Sequence, residues 1–467
     1  MRKTFLGVKL KTLREQRGLT QAALAQALQL SPSYVNQLEN NERPLSVAVL
    51  LRLQSALGVD LQFFSEDDEA RLFAQLHEVV AEAAPSGGVP EAELRTVVQQ
   101  MPAMAQLLLR LHGRARAAEQ RLATLAPGDR DGPPSPIGPG PHEEVRDFFY
   151  AHHNHMDGLD RAAEALSAQL QVGDGAQDLA PRLQAHLLQA HGVQLRGVAG
   201  TPLRRFEPAQ RLLLLSDALN PGQRAFQLAT QLAYLEAGAE MDRLVASASF
   251  SAEAAALARI GLASYFAGAL VLPYGRFLAA ARELRHDIER LARRFGVSLE
   301  TVCHRLSTLQ RREARGLPFF FVRVDRAGNI SKRQSATDFH FSRSGGTCPL
   351  WTVYEAFAQP GRVLRQLARM PDGRRYLWIA HCERRPGGGY GEAAPEFAIG
   401  LGCDLRHAAQ LVYAQGLDLG DPDSATPIGP GCKLCERQGC AQRAFPALGR
   451  RLHIDENERG GEPYAAR

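Results

Sequence analysis

Three of the chain's seven cysteines crowd into nine residues near its end, Cys432-Lys433-Leu434-Cys435-Glu436-Arg437-Gln438-Gly439-Cys440. The C-x2-C-x4-C spacing lets the first pair chelate one centre from a single turn. Gly431 and Gly439 give the backbone the freedom to aim the thiols inward. A complete site needs a fourth ligand. Cys348, in Gly345-Gly346-Thr347-Cys348-Pro349-Leu350-Trp351, is the best candidate, with Cys403 in reserve. Four thiolates suit a structural zinc or an iron–sulfur cluster. The spacing is not the paired C-x2-C…C-x2-C of a zinc ribbon, so it leaves both metals open. Disulfides are the other reading, but nothing in the sequence points to an oxidising compartment. Cys303, Cys382 and Cys403 have no partner at chelating spacing and read as small buried apolar residues.

At 467 residues the chain is too long for one ordinary core and is expected to hold about three domains. Hydrophobic content of 45% with 22% charged residues describes a globular protein. The net charge of +5 is too small to argue for nucleic acid by itself. Lys9 and Lys11 interrupt any apolar run behind Arg2 and Lys3, so no signal peptide is expected. The apolar run from Ile260 to Pro273 reads as too short and too broken to span a bilayer. The expectation is a cytoplasmic protein whose thiols stay reduced.

Residues 6–64 read as five short helices. Leu6, Leu10 and Leu13 mark one apolar stripe, ended by Gly18. Thr20 N-caps a helix from Gln21 to Leu28 with Leu24, Ala27 and Leu28 inward. Ser31 caps the next, from Pro32 to Glu39, with Pro32 in its first turn and Val35 and Leu38 inward. Ser46 caps a fourth, with Leu50, Leu53 and Leu57 inward and Gly58 closing it, and a fifth lies near Leu61 to Phe64. Two helices joined by so short a turn, the second presenting Ser33, Tyr34, Asn36 and Gln37, suit the major groove of DNA. Asn and Gln amides match an adenine edge, and Gln21 at a helix start suits a phosphate. Residues 19–44 resemble the phage-repressor-like (XRE) helix-turn-helix family, including Gln37-Leu38-Glu39-Asn40. The DNA-contacting set is therefore expected to be Gln21, Pro32, Ser33, Tyr34, Asn36, Gln37, Asn40 and Arg43.

Residues 66–126 read as a helical connector broken near Pro85, with a Leu107–Leu111 run suited to a dimer seam or to packing on a neighbouring domain. Residues 127–142 are a Pro/Gly linker by composition. One long helix is expected from Glu144 to Gln171, carrying Phe149, Tyr150, His152 and His155, with ligand contact or packing favoured over metal. Strands are expected at 192–199 and 210–215, then a helix over 222–235. Phe319 to Arg333 reads as two apolar runs around a basic turn. Phe321 and Arg323 fall on one face, Phe320 and Val322 on the other, and Arg323, Arg326, Lys332 and Arg333 are candidate phosphate binders. The remainder reads as α+β: a helical element from Gly361, strands at 376–380 and 397–401, and a helix from Cys403 through His407 to Val412.

The 222–235 helix, the 263–274 segment and the helix through His304 resemble the ImmA/IrrE-like metallopeptidase fold. In active members of that fold the first helix carries H-E-x-x-H. Here those positions are Thr230, Gln231 and Tyr234, so no catalytic residue is expected. Phe148-to-Asn154, Gly346-to-Trp351, Ala398-to-Asp404 and Cys432-to-Pro446 extend the resemblance over nearly the whole chain. It resembles the short-chain-fatty-acyl transcriptional regulators. That family implies a multidomain protein: an all-α XRE domain over 1–65, a degenerate α+β ImmA/IrrE-like domain over 143–335 and an α+β cysteine-bearing sensing domain over 336–467. The resemblance further implies a regulator of short-chain acyl metabolism that senses acyl-CoA. It also implies a [4Fe–4S] cluster on Cys348, Cys432, Cys435 and Cys440, with zinc as the alternative. Operator DNA and a second copy of the chain are the expected partners. For the acyl-CoA, Arg323 and Arg326 are expected at the phosphates and Phe149, Tyr150, His152 and Tyr265 at the pocket wall, between the last two domains.

Overall fold

Hydroxyl caps delimit the first helices. Thr20 accepts from the Ala23 N–H and Ser31 from the Tyr34 N–H, each satisfying a donor that the first turn leaves open. The computed structural model describes residues 7–40, 42–43, 45–57, 66–83, 89–124, 140–171, 173, 176–200, 202–337, 339, 347–384, 395–447 and 461–462. The expected fifth helix, Leu6, Gly58 and the linker through 139 lie outside them. The chain divides into two compact units, residues 1–138 with 338–342 and 443–467, and residues 139–337 with 343–442.

The first unit begins with α1 (Gly7–Gln16), α2 (Gln21–Leu28), α3 (Pro32–Glu39) and α4 (Val47–Leu57). Gln29, left-handed at φ 53°, turns α2 sharply into α3. Their core is Leu10, Leu13, Leu24, Ala25, Leu28, Val35, Leu38, Leu45, Val49 and Leu53. Ala25 takes the inward place expected of Ala27, which is exposed, because the buried stripe of α2 runs through 24, 25 and 28. A second, smaller core of Leu76, Leu94, Val98 and Ala105 joins α5 (Glu66–Ala83), α6 (Glu91–Gln100) and α7 (Pro102–Thr124).

The second unit opens with α8 (Pro141–Ala151) and α9 (Asp157–Gln169), where one helix was expected. His153 and Asn154 are both left-handed, at φ 49° and 56°, which ends α8. Distant partners hold the break: Asn154 donates to the Ser335 carbonyl at 3.1 Å, and the Met156 N–H donates to the Tyr265 hydroxyl at 3.1 Å. Next come α10 (Ala176–His191), β1 (Gln194–Val198), β2 (Arg204–Glu207), β3 (Leu212–Ser216) and α11 (Pro221–Glu236). β3 pairs parallel with β1 and antiparallel with β2, a strand the sequence pattern did not signal. Then follow α12 (Gly238–Ala246), α13 (Ala252–Val271), α14 (Tyr274–Glu283), α15 (Ile288–Phe295) and α16 (Leu299–Leu306). With 20 residues, α13 is longer than expected and apolar enough to cross a membrane, but most of its apolar side chains are buried among α8, α9, α11 and α12.

The last elements are β4 (Phe320–Val324), β5 (Ile330–Ser335), α17 (Thr352–Glu355), β6 (Val363–Arg369), β7 (Arg375–Arg384), β8 (Glu396–Asp404), α18 (Leu405–Ala408) and β9 (Thr426–Pro427). The five strands and β9 form one sheet in the order β5-β4-β8-β7-β6-β9, so the boundary expected at 335/336 runs through a single sheet. The helix expected from Gly361 is strand β6, because residues 363–369 pair in register with β7. Cys403 belongs to β8, and the helix after it starts at Leu405 with Asp404 as its cap. β4 is interior, flanked by β5 and β8, so Phe320, Phe321, Val322 and Val324 are all buried, with Phe320 and Phe321 on opposite faces as their alternation predicts. Phe321, Leu377, Ile379, Leu401 and Cys403 join the helical core on one face of the sheet. On β7 the alternate residues Tyr376 and Trp378 meet Phe320, and Trp351 stacks 5.3 Å from Trp378.

Candidate nucleic-acid interface and cysteine centre

In the first unit Glu39 joins three helices. Its carboxylate, almost wholly buried, accepts from Arg14 Nε of α1 at 2.6 Å and from Gln21 Nε2 of α2 at 2.7 Å. The hydrogen bond and charge of Glu39 raise the Arg14 pKa. This clamp sets the angle of α3. The outward face then carries exposed Pro32, Ser33, Asn36, Asn40 and Arg43, with half-buried Tyr34 and Gln37 beside them. Asn40 Nδ2 donates to Asn36 Oδ1 at 3.2 Å, and the Arg43 guanidinium lies 5.2 Å from the Tyr34 ring centre. Gln21, expected at a phosphate, donates instead to Glu39 and at 3.4 Å to Asn36. An amide pair fixed on a helix face, with an arginine at its end, has the shape and chemistry to read base edges in a groove.

The cysteine loop lies on the sheet's aromatic face. The Gly429 carbonyl accepts from Trp351 Nε1 at 3.0 Å, and the Gly429 N–H donates to Cys348 Sγ at 3.4 Å. A Cβ at Gly429 would stand 2.6 Å from Cys435 Sγ, so only glycine passes between the two sulfurs. Cys348, Cys432 and Cys435 are buried, and Cys440 is half-buried behind the left-handed Gly439 at φ 70°. Burial pushes the Cys348 thiol up to about 11, against backbone N–H groups of Gly429 and Leu350, and the neighbouring Cys435 and Cys432 push the same way as burial. A bound cation reverses that preference and makes thiolate ligands of such groups. Cys348, Cys432 and Cys435 are neighbours around Gly429 and offer the donor type a thiolate-held metal takes, and among the described residues no three of the cysteine sulfurs lie within 4.8 Å of one another. Cys403, the reserve ligand, is instead fully buried in the core.

The residues expected at the acyl-CoA fall in two places. Phe149, Tyr150 and His152 are half-buried on or just beyond α8. Phe149 packs so close to α13 that a Cβ at Gly261 would meet it at 3.1 Å, and His152 Nδ1 lies 2.9 Å from the Phe148 carbonyl. Tyr265 is not at a surface: it is 4% exposed, with its hydroxyl donating to Asp160 at 2.7 Å. Its place is in a buried network that the sequence reading missed. Asp160 of α9 accepts from Arg305 of α16 at 2.7 and 3.1 Å and from Arg311 at 3.2 Å. Burial pushes the Asp160 carboxyl up, but the Arg305 guanidinium overrides it and holds the pKa below 3.8. Arg323 and Arg326 sit at the other place, paired with Glu300 at 3.0 Å and Glu396 at 2.6 Å. Each also lies over a ring, Phe397 at 4.5 Å and Phe357 at 5.6 Å. Lys332 shares Glu300 at 3.1 Å.

At the positions of H-E-x-x-H, the Thr230 hydroxyl bonds back to the Phe226 carbonyl at 2.8 Å. Arg204 of β2 donates to Gln231 at 2.5 Å and lies 5.4 Å from the Tyr234 ring centre. A guanidinium on these side chains leaves neither the ligands nor the carboxylate base that a zinc peptidase needs there.

Sequence comparisons match three stretches of the chain. Residues 10–64 match a helix-turn-helix family model, 188–307 an IrrE N-terminal-like domain, and 308–464 the short-chain fatty acyl coenzyme A regulator C-terminal domain. The HTH-type transcriptional regulator RamB of Mycobacterium tuberculosis H37Rv is 51% identical over 99% of both chains. The regulator PrpR of the same strain is 49% identical over 99% of this chain and 96% of its own. A propionyl-CoA carboxylase regulator of Cereibacter sphaeroides is 46% identical over 99% of this chain and 98% of its own. A solved Mycobacterium tuberculosis transcriptional regulator superposes with a TM-score of 0.68 at 52% identity, covering 70% of this chain and 100% of that one. The chain therefore belongs to the short-chain fatty acyl regulator family of helix-turn-helix transcriptional regulators.

Proposed function

We propose that this regulator controls genes of short-chain acyl metabolism (propionate, acetate, glyoxylate or methylcitrate routes) by binding operator DNA in a manner set by acyl-CoA. The observation that carries the reading is the α2–α3 face, fixed by Glu39 in a chain whose C-terminal part matches the acyl-CoA regulator model. An effector shifts DNA affinity only through its differential affinity for the two arrangements of the protein. A hundredfold response requires about 2.7 kcal/mol of that difference.

The acyl-CoA phosphates are assigned to Arg323 and Arg326, which exchange Glu300 and Glu396 for the ligand. The wall is assigned to Phe149, Tyr150 and His152, backed by the Tyr265–Asp160 network. The cluster is assigned to Cys348, Cys432, Cys435 and Cys440, a donor set suited to [4Fe–4S]. When bound, it supplies a rigid cross-link and a redox-active centre. Gly429 holds the gap between Cys348 and Cys435, and the Trp351 indole holds Gly429. The protein acts in the cytoplasm and carries no catalytic role, since the peptidase positions hold Thr230, Gln231 and Tyr234.

A dimer is proposed through α7. Met104, Leu108 and Leu111 of α7 are all exposed and follow the 4-3 spacing of a coiled-coil seam. Two copies joined there bring two recognition helices to paired half-sites.

Replacing Arg323 and Arg326 with Ala, read by calorimetry with propionyl-CoA, tests the ligand assignment. The expected result is loss of acyl-CoA binding with ligand-free operator affinity retained. Unchanged ligand affinity overturns the assignment.

A further inference from the structure

A second donor cluster stands outside the cysteine loop, where two helices of the second unit end side by side. His186 and His191 lie in the last two turns of α10, and Glu236 is the final residue of α11. Both imidazole Nε2 atoms are aimed at one oxygen, Glu236 Oε1, at 2.6 and 2.8 Å. The rings are edge to face with centres 5.8 Å apart, and one donor atom from each of the three residues lies within 4.8 Å of the others. We propose that His186, His191 and Glu236 form a binding site for a zinc-class divalent cation, separate from the thiolate centre.

The chemistry selects the ion. Two imidazoles and one carboxylate are the donor types of zinc and its borderline neighbours, whereas magnesium and calcium take oxygen ligands. In a tetrahedral site with ligand bonds near 2.05 Å, donor atoms stand about 3.3 Å apart. Without the ion the three are drawn closer, because each Nε2–H donates to the carboxylate. Binding puts the metal on each Nε2 while the imidazole stays neutral, its proton shifting to Nδ1 or leaving to solvent, and widens each separation by roughly half an ångström. The side chains have room for that: His186 is 13% exposed, His191 22% and Glu236 26%. The same exposure admits water to the fourth position.

The surroundings favour a cation. The three residues lie in the last turns of α10 and α11, and that end of a helix carries partial negative charge. The Arg211 guanidinium is tied to the His191 carbonyl at 2.8 Å, so it contributes no ligand. The site is also not the family's peptidase centre: that centre maps to Thr230, Gln231 and Tyr234, where Arg204 now sits. An ion here would join the end of α10, which leads directly into β1, to the end of α11.

The test uses the full chain, stripped of metal and titrated with cobalt(II), whose spectrum separates thiolate from imidazole–carboxylate coordination. The expected result is one equivalent bound without thiolate charge transfer, displaced by zinc and lost in His186→Ala and His191→Ala. A second reading avoids dependence on those variants: zinc should protect His186 and His191 of the unaltered protein from diethyl pyrocarbonate, mapped by mass spectrometry. The proposal is overturned if all bound cobalt shows thiolate charge transfer, if folded histidine variants bind as much as the parent, or if zinc gives no protection.

Discussion

Replacing Asp160 with Asn removes a charge from the most enclosed ion network of the second unit. Asp160 is 0% exposed, its partner Arg305 has a side chain 3% exposed, and Arg311 follows at 10%. Its two oxygens accept four hydrogen bonds, from Tyr265, twice from Arg305 and once from Arg311. Asn keeps one acceptor oxygen and turns an NH2 towards guanidinium donors, so at least one buried cation loses its counter-charge. Breaking one side of a buried pair costs about 3–5 kcal/mol, a large part of the ~5–15 kcal/mol that holds a domain folded. With a urea slope of about 3 kcal/mol per molar, the midpoint should fall by about 1–1.7 M. The chain's two tryptophans, Trp351 and Trp378, are both fully buried in this unit, so their fluorescence follows its unfolding. The sign of the pH effect is fixed by the depressed pKa. The carboxylate's contribution is fully present above the unfolded value near 3.8 and is lost as pH falls through the lower folded value. The gap between parent and variant should hold from neutral pH to about pH 4 and close below it. Arg305→Met added to Asp160→Asn should restore much of the loss, because no unpaired charge then remains at that position. A midpoint change under about 0.3 M would refute the reasoning, since the network would then be leaky to water.

Gly429→Ala places a methyl 2.6 Å from Cys435 Sγ and should lower iron and sulfide content in protein purified without oxygen, as Cys435→Ser should. Gly439→Ala, with open space around its Cβ but φ 70°, should cost only about 1 kcal/mol of stability and spare the metal. Glu39→Ala leaves Arg14 and Gln21 without their shared acceptor and should destabilise the first unit by about 2–3 kcal/mol, read by thermal denaturation. Asn36→Ala should cost about 1–3 kcal/mol of operator affinity and relax preference at a single base position, measured by binding to substituted operators.

Features written in neighbouring residues were readable before any coordinates. Thr20, Ser31 and Pro32 are local signals, and the caps form where those residue types place them. The helix expected over 222–235 is α11, opened by Asn220 and Gln223 as a reciprocal capping pair. What stayed hidden depends on distant partners. The α8–α9 break is held by Tyr265 and Ser335, more than a hundred residues away, while its own residues read as helix. Residues 363–369 carry no strict alternation, and pairing with β7 and β9 decides that they form a strand. Gly429 shows its importance only once Cys348, Cys435 and Trp351 surround it. The basic residues around Arg323 looked available for a ligand, and the carboxylates of Glu300 and Glu396 that meet them come from other elements.

The central claim is that DNA binding through the α2–α3 face answers to acyl-CoA. The direct measurement is titration of the full chain onto its operator, isolated by selection, with and without propionyl-CoA, free CoA serving as control. The account predicts an affinity shift of tenfold or more with propionyl-CoA, absent in Arg323→Ala/Arg326→Ala protein that still binds the operator. Equal operator affinity with and without the acyl-CoA, in protein shown to bind it, would contradict the account.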